Sequence, residues 1–276
     1  MIFNKGMKRF TKKRIAITGA ASGLGRAIAL RFAREGWDIC IADIHMERAH
    51  EVANEVSHLG AKVMIIECDI SKEDDFVFLA EQLESEWGGV DILVNNAGIS
   101  SAGTLEESSY SEWQRLLDIN LMGVVRGCKT FTPILERQGC GHIVNVASFA
   151  GIASAPGMVT YNVAKAGVIS LSESLRHELK SKKIDVSVVC PAFFATNLLE
   201  SMNKQESKAL VTKLMKKSGI TAENVADHVY RGVEKKEFML ITHKDARIQY
   251  HMKRLSPELF HTVMHQALKK IGMLES

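Results

Sequence analysis

Short apolar runs and longer stretches of helical periodicity alternate along most of the chain. The apolar runs, rich in Val, Ile, Ala and Cys, lie at 14–20, 38–43, 62–68, 91–97, 141–148, 185–191 and 237–242. Apolar residues recur at helical spacing in 22–35, 45–59, 72–87, 110–137, 158–180 and 221–234. Because the short runs are nearly continuously apolar, they are typical of strands that are covered on both faces.

This alternation predicts an α/β fold in which seven parallel strands form one sheet and helices cover both of its faces. Right-handed crossovers between parallel strands give a doubly wound, Rossmann-type sandwich. We interpret residues 1–276 as a single domain of this kind, because no linker or internal repeat divides the chain. Ligands of such sheets bind beyond the carboxyl ends of the strands, so candidate chemistry is expected there.

Composition narrows the function classes. The chain has 276 residues, 46% of them hydrophobic, and a net charge of only +3, which does not indicate a nucleic-acid binder. No run reaches the roughly 20 apolar residues of a membrane span, and the basic N-terminal tail, 1–13, lacks the apolar stretch of a signal peptide. We expect a solvated tail and a cytoplasmic location. The five scattered cysteines indicate neither a metal site nor a disulfide framework.

A glycine-rich turn, TGAASGLG, ends the first predicted strand and opens the first predicted helix. Glycines permit a tight turn and close approach of a pyrophosphate, and the helix N-terminus presents free N–H groups to that anion. At the start of a βαβ unit this turn predicts a dinucleotide site. The candidate contacts are Gly19, Ser22, Gly23, Leu24 and Gly25.

An acid ends the second predicted strand. A carboxylate at Asp43 can accept hydrogen bonds from both ribose hydroxyls of an adenosine and would repel a 2′-phosphate. No Arg or Lys follows at 44–46, and Ser22, which is not basic, precedes Gly23, so the pattern favours NAD over NADP. Asp69, followed by Ile70 at the end of the third predicted strand, is placed to meet the adenine edge.

Five ordered motifs between residues 12 and 242 resemble the short-chain dehydrogenase/reductase family. They are the glycine turn, NNAG at 95–98, LDIN at 117–120, the serine that ends IVNVAS, and YNVAK at 161–165. The resemblance implies the catalytic residues Asn120, Ser148, Tyr161 and Lys165, with Lys165 and Tyr161 also contacting the cofactor. It further implies cofactor contacts from Asn96, Ala97, Gly98, Pro191 and Thr196. The family commonly has Pro-Gly where this chain has Pro191-Ala192, which suggests a stiffer loop.

The residue types suit alcohol oxidation and carbonyl reduction. A free tyrosine, with a pKa of about 10, is a poor base at neutral pH, and lowering that pKa by about three units requires roughly 4 kcal/mol. One cation at about 4 Å supplies roughly that much at an effective dielectric of about 20. We therefore predict that Tyr161 is the general acid/base and that Lys165 lowers its pKa. Ser148 is expected to hydrogen-bond the substrate oxygen, and Asn120 to hold a water that relays protons.

The sequence thus predicts an NAD-dependent oxidoreductase that interconverts a hydrophobic secondary alcohol and its ketone or aldehyde, without a metal. Two alternatives stay open: an NADP-dependent 3-oxoacyl reductase, and a non-catalytic nucleotide-binding regulatory protein, since fold does not determine function. The family resemblance implies that 193–219 is a mobile lid over the substrate. Its apolar residues, with Phe193 and Phe194, indicate a lipophilic alcohol or carbonyl compound.

The C-terminal extension, 243–276, differs from the short ending of many family members. Ser256 could cap a helix that starts at Pro257 and carries a broad apolar stripe, including Leu259, Phe260 and Leu268. Packing on the same or a neighbouring subunit explains the stripe, and peripheral contact with a membrane is the alternative. The absence of a Gly-Gly ending favours a homodimer over a homotetramer.

Overall fold

The computed structural model of the chain describes residues 7–194, 212, 215 and 218–270. Seven parallel strands form one sheet in the order β3-β2-β1-β4-β5-β6-β7, so the strand order reverses between β1 and β4. The strands are β1 Arg14–Thr18, β2 Asp38–Asp43, β3 Val63–Glu67, β4 Ile92–Asn95, β5 Gly141–Val146, β6 Ile184–Val189 and β7 Met239–Leu240. The predicted doubly wound sheet with seven parallel strands is confirmed.

Helices cover both faces of this sheet. They are α1 Gly23–Ala33, α2 Met46–His58, α3 Glu73–Trp87, α4 Tyr110–Leu117, α5 Gly123–Gln138, α6 Ala150–Ala153, α7 Val159–Glu178, α8 Ala222–Lys235, α9 Lys244–Leu255 and α10 Pro257–Lys270. Ile15 and Ile17 of β1 belong to one buried apolar cluster, and Ala16 between them belongs to a second. Because neighbouring side chains of a strand point to opposite faces, the sheet has an apolar core on each side.

The long helix predicted at 110–137 is interrupted. A π-helical turn, Asp118–Met122, separates α4 from α5, and Asn120 is fully buried within it. Such turns insert an extra residue and re-aim the side chains of a helix, often at functional sites. Apolar periodicity does not reveal a one-residue insertion, because both flanking segments keep their own helical spacing.

The expectation of a solvated N-terminal tail is wrong for the residues that the structure describes. Met7 and Phe10 are buried in the core, and the Phe10 ring meets Trp37 edge to face with ring centres 5.4 Å apart. Arg9 donates a hydrogen bond to the carbonyl of Val233 at 3.0 Å. Two apolar residues among the basic ones are sufficient to fix this segment, because each fills space beside the sheet.

The C-terminal extension forms two consecutive helices that contact each other, α9 and α10, which we call the C-terminal hairpin. α10 begins at Pro257 as predicted, while Ser256 ends α9, its N–H bonding the carbonyl of Met252 at 2.8 Å. The apolar stripe is divided: Phe260 and Leu268 are buried against the body, whereas Leu259 and Val263 are exposed. Within the described part of the chain, no helix has the length and apolar character needed to cross a bilayer.

Candidate active site

A cleft of about 870 Å³ lies at the carboxyl ends of the strands, where the strand order reverses. Most of the predicted site residues line it: Gly19, Ser22, Gly23, Leu24, Asp43, Asp69, Ile70, Asn96, Ala97, Gly98, Ser148, Tyr161, Lys165 and Pro191. Gly25 and Asn120 lie behind this lining, and Thr196 falls outside the described residues. Residues spread over more than 170 positions of the sequence therefore converge on one cleft.

The glycine turn depends on two positions that admit no side chain. Gly19 adopts a left-handed conformation with φ +66°, and a Cβ there would stand 2.8 Å from the Cα of Ala97. A Cβ at Gly25 would stand 2.1 Å from the carbonyl oxygen of Gly19. The turn and the first helix are therefore in direct backbone contact. Ser22 precedes α1 without a capping side-chain hydrogen bond, so the N–H groups of the first turn can receive an anion.

The NNAG segment after β4 is fastened to this turn. The Thr18 hydroxyl accepts hydrogen bonds from the N–H groups of Asn96 at 3.0 Å and Ala97 at 3.1 Å. In return, Nδ2 of Asn96 donates to the carbonyls of Thr18 at 2.9 Å and Gly19 at 3.1 Å. These bonds join the ends of β1 and β4 and so hold both walls of the crevice at the reversal of strand order.

Asp43 ends β2 with its carboxylate buried and held by the main chain. One oxygen accepts from the N–H of Ala21 at 2.8 Å, and the other accepts from the N–H of His45 at 2.9 Å. Each carboxylate oxygen keeps a second acceptor position, so the group can still receive ribose hydroxyls. Asp43 therefore also shapes the glycine turn, a contact that sequence reasoning missed.

Arg48 lines the same end of the cleft, beside Asp43 and His45. Arg48 lies in the first turn of α2, just beyond residues 44–46, on which the prediction of NAD rests. Because a helix brings residues three or four positions apart to one face, a basic residue at 48 could have been considered. The cofactor end of the cleft thus contains both an acid and a guanidinium.

Asp69 lines the cleft beyond β3. Its carboxylate accepts hydrogen bonds from the N–H of Ser71 at 3.0 Å and from the Ser71 hydroxyl at 2.7 Å. This local turn fixes the side chain and leaves its other carboxylate oxygen 3.7 Å from Nζ of Lys72. The predicted contact with an adenine edge stays a prediction.

Asn120 is fully buried, and both ends of its amide bond the main chain of Ile99. Its oxygen accepts from the Ile99 N–H at 2.8 Å, and its Nδ2 donates to the Ile99 carbonyl at 2.7 Å. A Cβ at Gly98 would stand 2.7 Å from the Asn120 oxygen, so this packing requires glycine. The side chain thus positions the segment after β4, and its role in holding a water stays a prediction.

Tyr161 and Lys165 lie on the first two turns of α7, and both are buried in the wall of the cleft. Ser148, after β5, accepts a hydrogen bond from the N–H of Ala150 at 3.1 Å, and its hydroxyl is near enough to that of Tyr161 to act on the Tyr161 pKa. Nζ of Lys165 donates to the carbonyl of Val146 at 2.9 Å and lies 5.8 Å from the centre of the Tyr161 ring. The hydroxyls of Ser148 and Tyr161 and the amine of Lys165 therefore lie in the same part of the cleft.

The prediction that Lys165 lowers the pKa of Tyr161 is not met by the protein's own residues. Burial raises the pKa of Tyr161 to about 12, despite the opposing effect of the Ser148 hydrogen bond. Burial also lowers the pKa of Lys165 to about 8. Both shifts have one physical cause, since removal from water disfavours the charged form of either group. The tyrosine is therefore held as a proton donor at neutral pH.

The remaining wall of the cleft is mainly apolar and comes from four separate segments. These are 99–102, 146–158, 191–194 and the C-terminal hairpin, with Met215 and Ser218 from the predicted lid also present. Most of that lid, including Thr196, lies outside the described residues. Sequence reasoning missed the contribution of the hairpin to the cleft. The apolar stripe of α10 could be predicted from the sequence, but the cleft that it helps to line could not.

The described residues offer no cluster of metal ligands. They contain no group of three His, Cys, Asp or Glu side chains placed to hold a metal ion.

Comparison with known proteins finds relatives over most of the chain. A family model for short chain dehydrogenase matches residues 13–207. The 3-oxoacyl-(acyl-carrier-protein) reductase FabG of Staphylococcus aureus is 32% identical over 203 residues, which cover 73% of this chain and 82% of that protein. The CLA biosynthesis dehydrogenase/reductase of Lactiplantibacillus plantarum is 31% identical over 259 residues, covering 87% of this chain and 91% of that protein.

Among solved structures, the chain is similar to a short chain dehydrogenase/reductase from Burkholderia phymatum in complex with NAD. The two share 30% sequence identity and superpose with a TM-score of 0.85, covering 91% of this chain and 95% of the other.

Proposed function

This chain belongs to the short-chain dehydrogenase/reductase family and is an oxidoreductase that works with a nucleotide cofactor, and from that premise we propose its reaction. It interconverts a lipophilic secondary alcohol and its ketone or aldehyde, with NAD as the cofactor. The catalytic residues are Asn120, Ser148, Tyr161 and Lys165. The chain works as one catalytic domain, with 193–219 as its lid.

One observation carries this proposal: Ser148, Tyr161 and Lys165 line the same cleft that the glycine turn enters. A carbonyl oxygen within reach of the Ser148 and Tyr161 hydroxyls can accept a hydrogen bond from each. The Ser148 oxygen accepts from the N–H of Ala150, which leaves the Ser148 hydrogen available to a substrate oxygen. This geometry favours a substrate oxygen as the reacting atom.

The proton steps follow from burial. A bound nicotinamide supplies hydride to the carbonyl carbon or accepts it from the alcohol carbon. In reduction, Tyr161 donates its hydroxyl proton to the carbonyl oxygen; in oxidation, it takes the proton of the alcohol as its own proton passes to neutral Lys165. Lys165, whose pKa is lowered to about 8, can exchange a proton near neutral pH and so restores the protonation of Tyr161.

The cofactor end of the cleft fits a dinucleotide on the protein's own geometry. Gly19 and Gly25 leave no space for side chains between the turn and α1, and the first N–H groups of α1 have no serine cap. Asp43 presents a buried carboxylate at the end of β2. A carboxylate that accepts ribose hydroxyls supports NAD, and the relative from Burkholderia phymatum carries NAD.

Lipophilic substrates are supported by the apolar walls around Tyr161. Met158, Phe193 and Phe194 line the cleft, together with side chains of the C-terminal hairpin. Polar groups other than the catalytic ones are few on this side. The name of one relative, a 3-oxoacyl-(acyl-carrier-protein) reductase, also concerns an acyl compound.

The test is a panel of secondary alcohols and ketones of increasing apolar size, followed at the nicotinamide absorbance with both NAD and NADP. We expect turnover that improves with apolar size and a higher kcat/KM with NAD. Binding of NAD without turnover of any member would instead support a non-catalytic nucleotide-binding protein. Assembly as a homodimer or homotetramer and a cytoplasmic location stay predictions, and light scattering measures the first.

A specific observation favours the second candidate, an NADP-dependent 3-oxoacyl reductase. Arg48 lines the cofactor end beside Asp43, and a guanidinium can bind a 2′-phosphate bidentately. The panel therefore includes a 3-oxoacyl thioester with NADPH, measured on the protein and on Arg48→Ala. Higher kcat/KM for this pair, lost in Arg48→Ala but not with NADH, would select the alternative.

A further inference from the structure

The C-terminal hairpin forms one wall of the cleft beside the proposed substrate. Its side chains at the cleft are Asp245, Ala246 and Gln249 from α9 and Met264, Ala267 and Leu268 from α10. The family model ends at residue 207, so this wall belongs to a part of the chain that the family match does not cover. The hairpin is therefore where this protein's own specificity can be encoded.

The hairpin is packed tightly enough to act as a binding wall. Phe260 is only 1% exposed, and Leu268 is also buried. Nζ of Lys253 donates to the carbonyl of Ile152 in α6 at 2.6 Å and lies 5.5 Å from the centre of the Phe260 ring. These contacts join α9 and α10 to the segment that follows Ser148, so the wall keeps its position relative to the catalytic serine.

His243 fixes the hairpin to the opposite wall. Its Nε2 bonds the carbonyl of Phe193 at 3.0 Å, which requires the proton on Nε2. Nδ1 then accepts from the N–H of Ala192 at 3.4 Å and from the hydroxyl of Thr242 at 2.8 Å. A neutral ring with this tautomer therefore connects the start of α9 to the loop that bears Phe193 and Phe194.

Two polar side chains interrupt the apolar surface of this wall. Asp245 and Gln249 are four residues apart on α9, so they lie on one helix face, one turn from each other. Neither makes a hydrogen bond or an ion pair with any residue that the structure describes. Asp245 is exposed at the rim and favoured in the first turn of α9 by the helix dipole, which explains its presence without a ligand.

Gln249 has no such explanation. It is half-buried at the cleft, away from the helix end, and its neighbours on the wall are Ala246, Met264 and Leu268. A carboxamide half-buried on an apolar wall is only partly hydrated, and because no described residue hydrogen-bonds it, a ligand in the cleft can supply a partner. Together with the Asp245 carboxylate, its oxygen forms a pair of acceptors on the substrate side of the cleft.

Resting on the proposed function, we propose that the substrate carries a hydrogen-bond donor on its apolar body, separate from the reacting carbonyl. Gln249 and Asp245 bind this donor, which is a hydroxyl or an ammonium group, while Met264 and Leu268 contact the apolar body. Gln249 discriminates between a donor and a methyl group. Asp245, at the rim, adds a charge preference for ammonium over carboxylate, weakened by solvent.

The experiment uses ketones that share one apolar body and end in methyl, hydroxyl, ammonium or carboxylate. Initial rates with NADH give kcat/KM for each ketone on the protein and on four variants. Gln249→Leu removes the carboxamide, and Gln266→Leu is its matched control, because Gln266 is exposed on α10 and does not line the cleft. Asp245→Asn removes the charge, and Glu258→Gln is the control in the first turn of α10.

We expect the hydroxyl ketone to exceed the methyl ketone about tenfold in kcat/KM, chiefly through KM. Gln249→Leu should reduce that ratio to about one while retaining turnover of the methyl ketone, and Gln266→Leu should leave it unchanged. Asp245→Asn should reduce the ratio of ammonium to carboxylate several-fold. Thermal unfolding and NAD binding of each variant check that the fold and the cofactor site are intact.

Equal ratios in Gln249→Leu and Gln266→Leu would overturn the proposed donor site. If the ketones are reduced without any preference for the terminal group, the proposed function stands and only this inference fails. If no member of the series is turned over with either cofactor, the proposed function fails and the inference fails with it.

Discussion

The cofactor end and the substrate end of the cleft are built in different ways. At the cofactor end, the glycine turn, NNAG and Asp43 each lie within a few residues of a strand end, and hydrogen bonds from main-chain N–H groups to the side chains of Thr18 and Asp43 join them. At the substrate end, four separate segments, one of them the C-terminal hairpin, contribute mostly side chains. One end presents backbone and the other presents a surface of side chains.

Because of this difference, the cofactor end is easy to recognise in the sequence and the substrate end is not. A pyrophosphate is met by N–H groups, and close approach of the backbone leaves little choice beyond glycine at positions such as Gly19 and Gly25. An apolar wall is satisfied by many combinations of Met, Phe, Leu and Ala, provided their summed volume fits. Substrate specificity is therefore distributed over many residues, whereas cofactor binding depends on a few.

Tyr161 lies where the two ends meet, and its loss should have the largest effect. Tyr161→Phe removes only the hydroxyl, so turnover should fall by roughly 10²–10⁴-fold while NAD affinity stays within about twofold. Stopped-flow rates and titration calorimetry measure the two quantities. Tyr110→Phe, at a 90% exposed position, is the matched control. Turnover close to that of the unmodified protein would refute the role of Tyr161.

At the cofactor end, Gly25→Ala should weaken NAD binding by roughly 10- to 100-fold, since overpacking against backbone costs about 1–3 kcal/mol. The added Cβ would stand 2.1 Å from the Gly19 carbonyl oxygen, which belongs to backbone and cannot rotate away. Calorimetric titration with NAD measures the change.

Gly167→Ala in α7 is the control, because its Cβ meets only the flexible methyl groups of Leu121 at 3.0 and 3.1 Å. If both variants bind NAD with the same affinity, the turn does not require a glycine for cofactor binding, and the contrast between the two ends is lost.

The direction of catalysis should depend on pH through the Tyr161–Lys165 pair. Below about pH 8 both groups hold their protons, because the pKa of Tyr161 is raised to about 12 and that of Lys165 is lowered to about 8. Reduction consumes a proton, which protonated Lys165 returns to Tyr161. The kcat of reduction should therefore fall by about tenfold per pH unit above pH 8, where Lys165 loses its proton. Oxidation releases a proton and should rise with pH up to about 8.

Profiles of kcat in both directions between pH 6 and pH 10 measure this effect, with an inert salt holding ionic strength constant. Parallel profiles, or profiles without a bend near pH 8, would show that another group controls proton transfer.

Asp43 should give the smallest effect of the four. Asp43→Asn keeps an acceptor for one of the two N–H contacts but loses the charge, so preference for NAD over NADP should fall by about five- to tenfold, in line with the roughly 1 kcal/mol that a single hydrogen bond contributes. Competitive binding of the two nucleotides measures the ratio. Asp38→Asn, at the opposite end of β2, is the control. An unchanged ratio would assign Asp43 to holding the turn alone.

Sequence patterns predicted the strands well because each is a continuous apolar run between turn residues. All seven predicted strands exist, and only the last, reduced to Met239–Leu240, is much shorter than expected. The patterns missed the π-helical turn around Asn120 and the burial of Met7 and Phe10. An inserted residue leaves no periodic trace, and two apolar residues are too few to form a pattern.

The candidate residues could be named from the sequence itself: the glycine turn by its place between a strand and a helix, and the catalytic residues by the resemblance of ordered motifs to the family. Only the tertiary structure decided how charged they are and what faces them. Burial raises the pKa of Tyr161 instead of lowering it, Arg48 joins Asp43 at the cofactor end, and the C-terminal hairpin brings Gln249 to the substrate wall. Solvation and contacts between distant segments exist only once the chain has folded, so no local pattern records them.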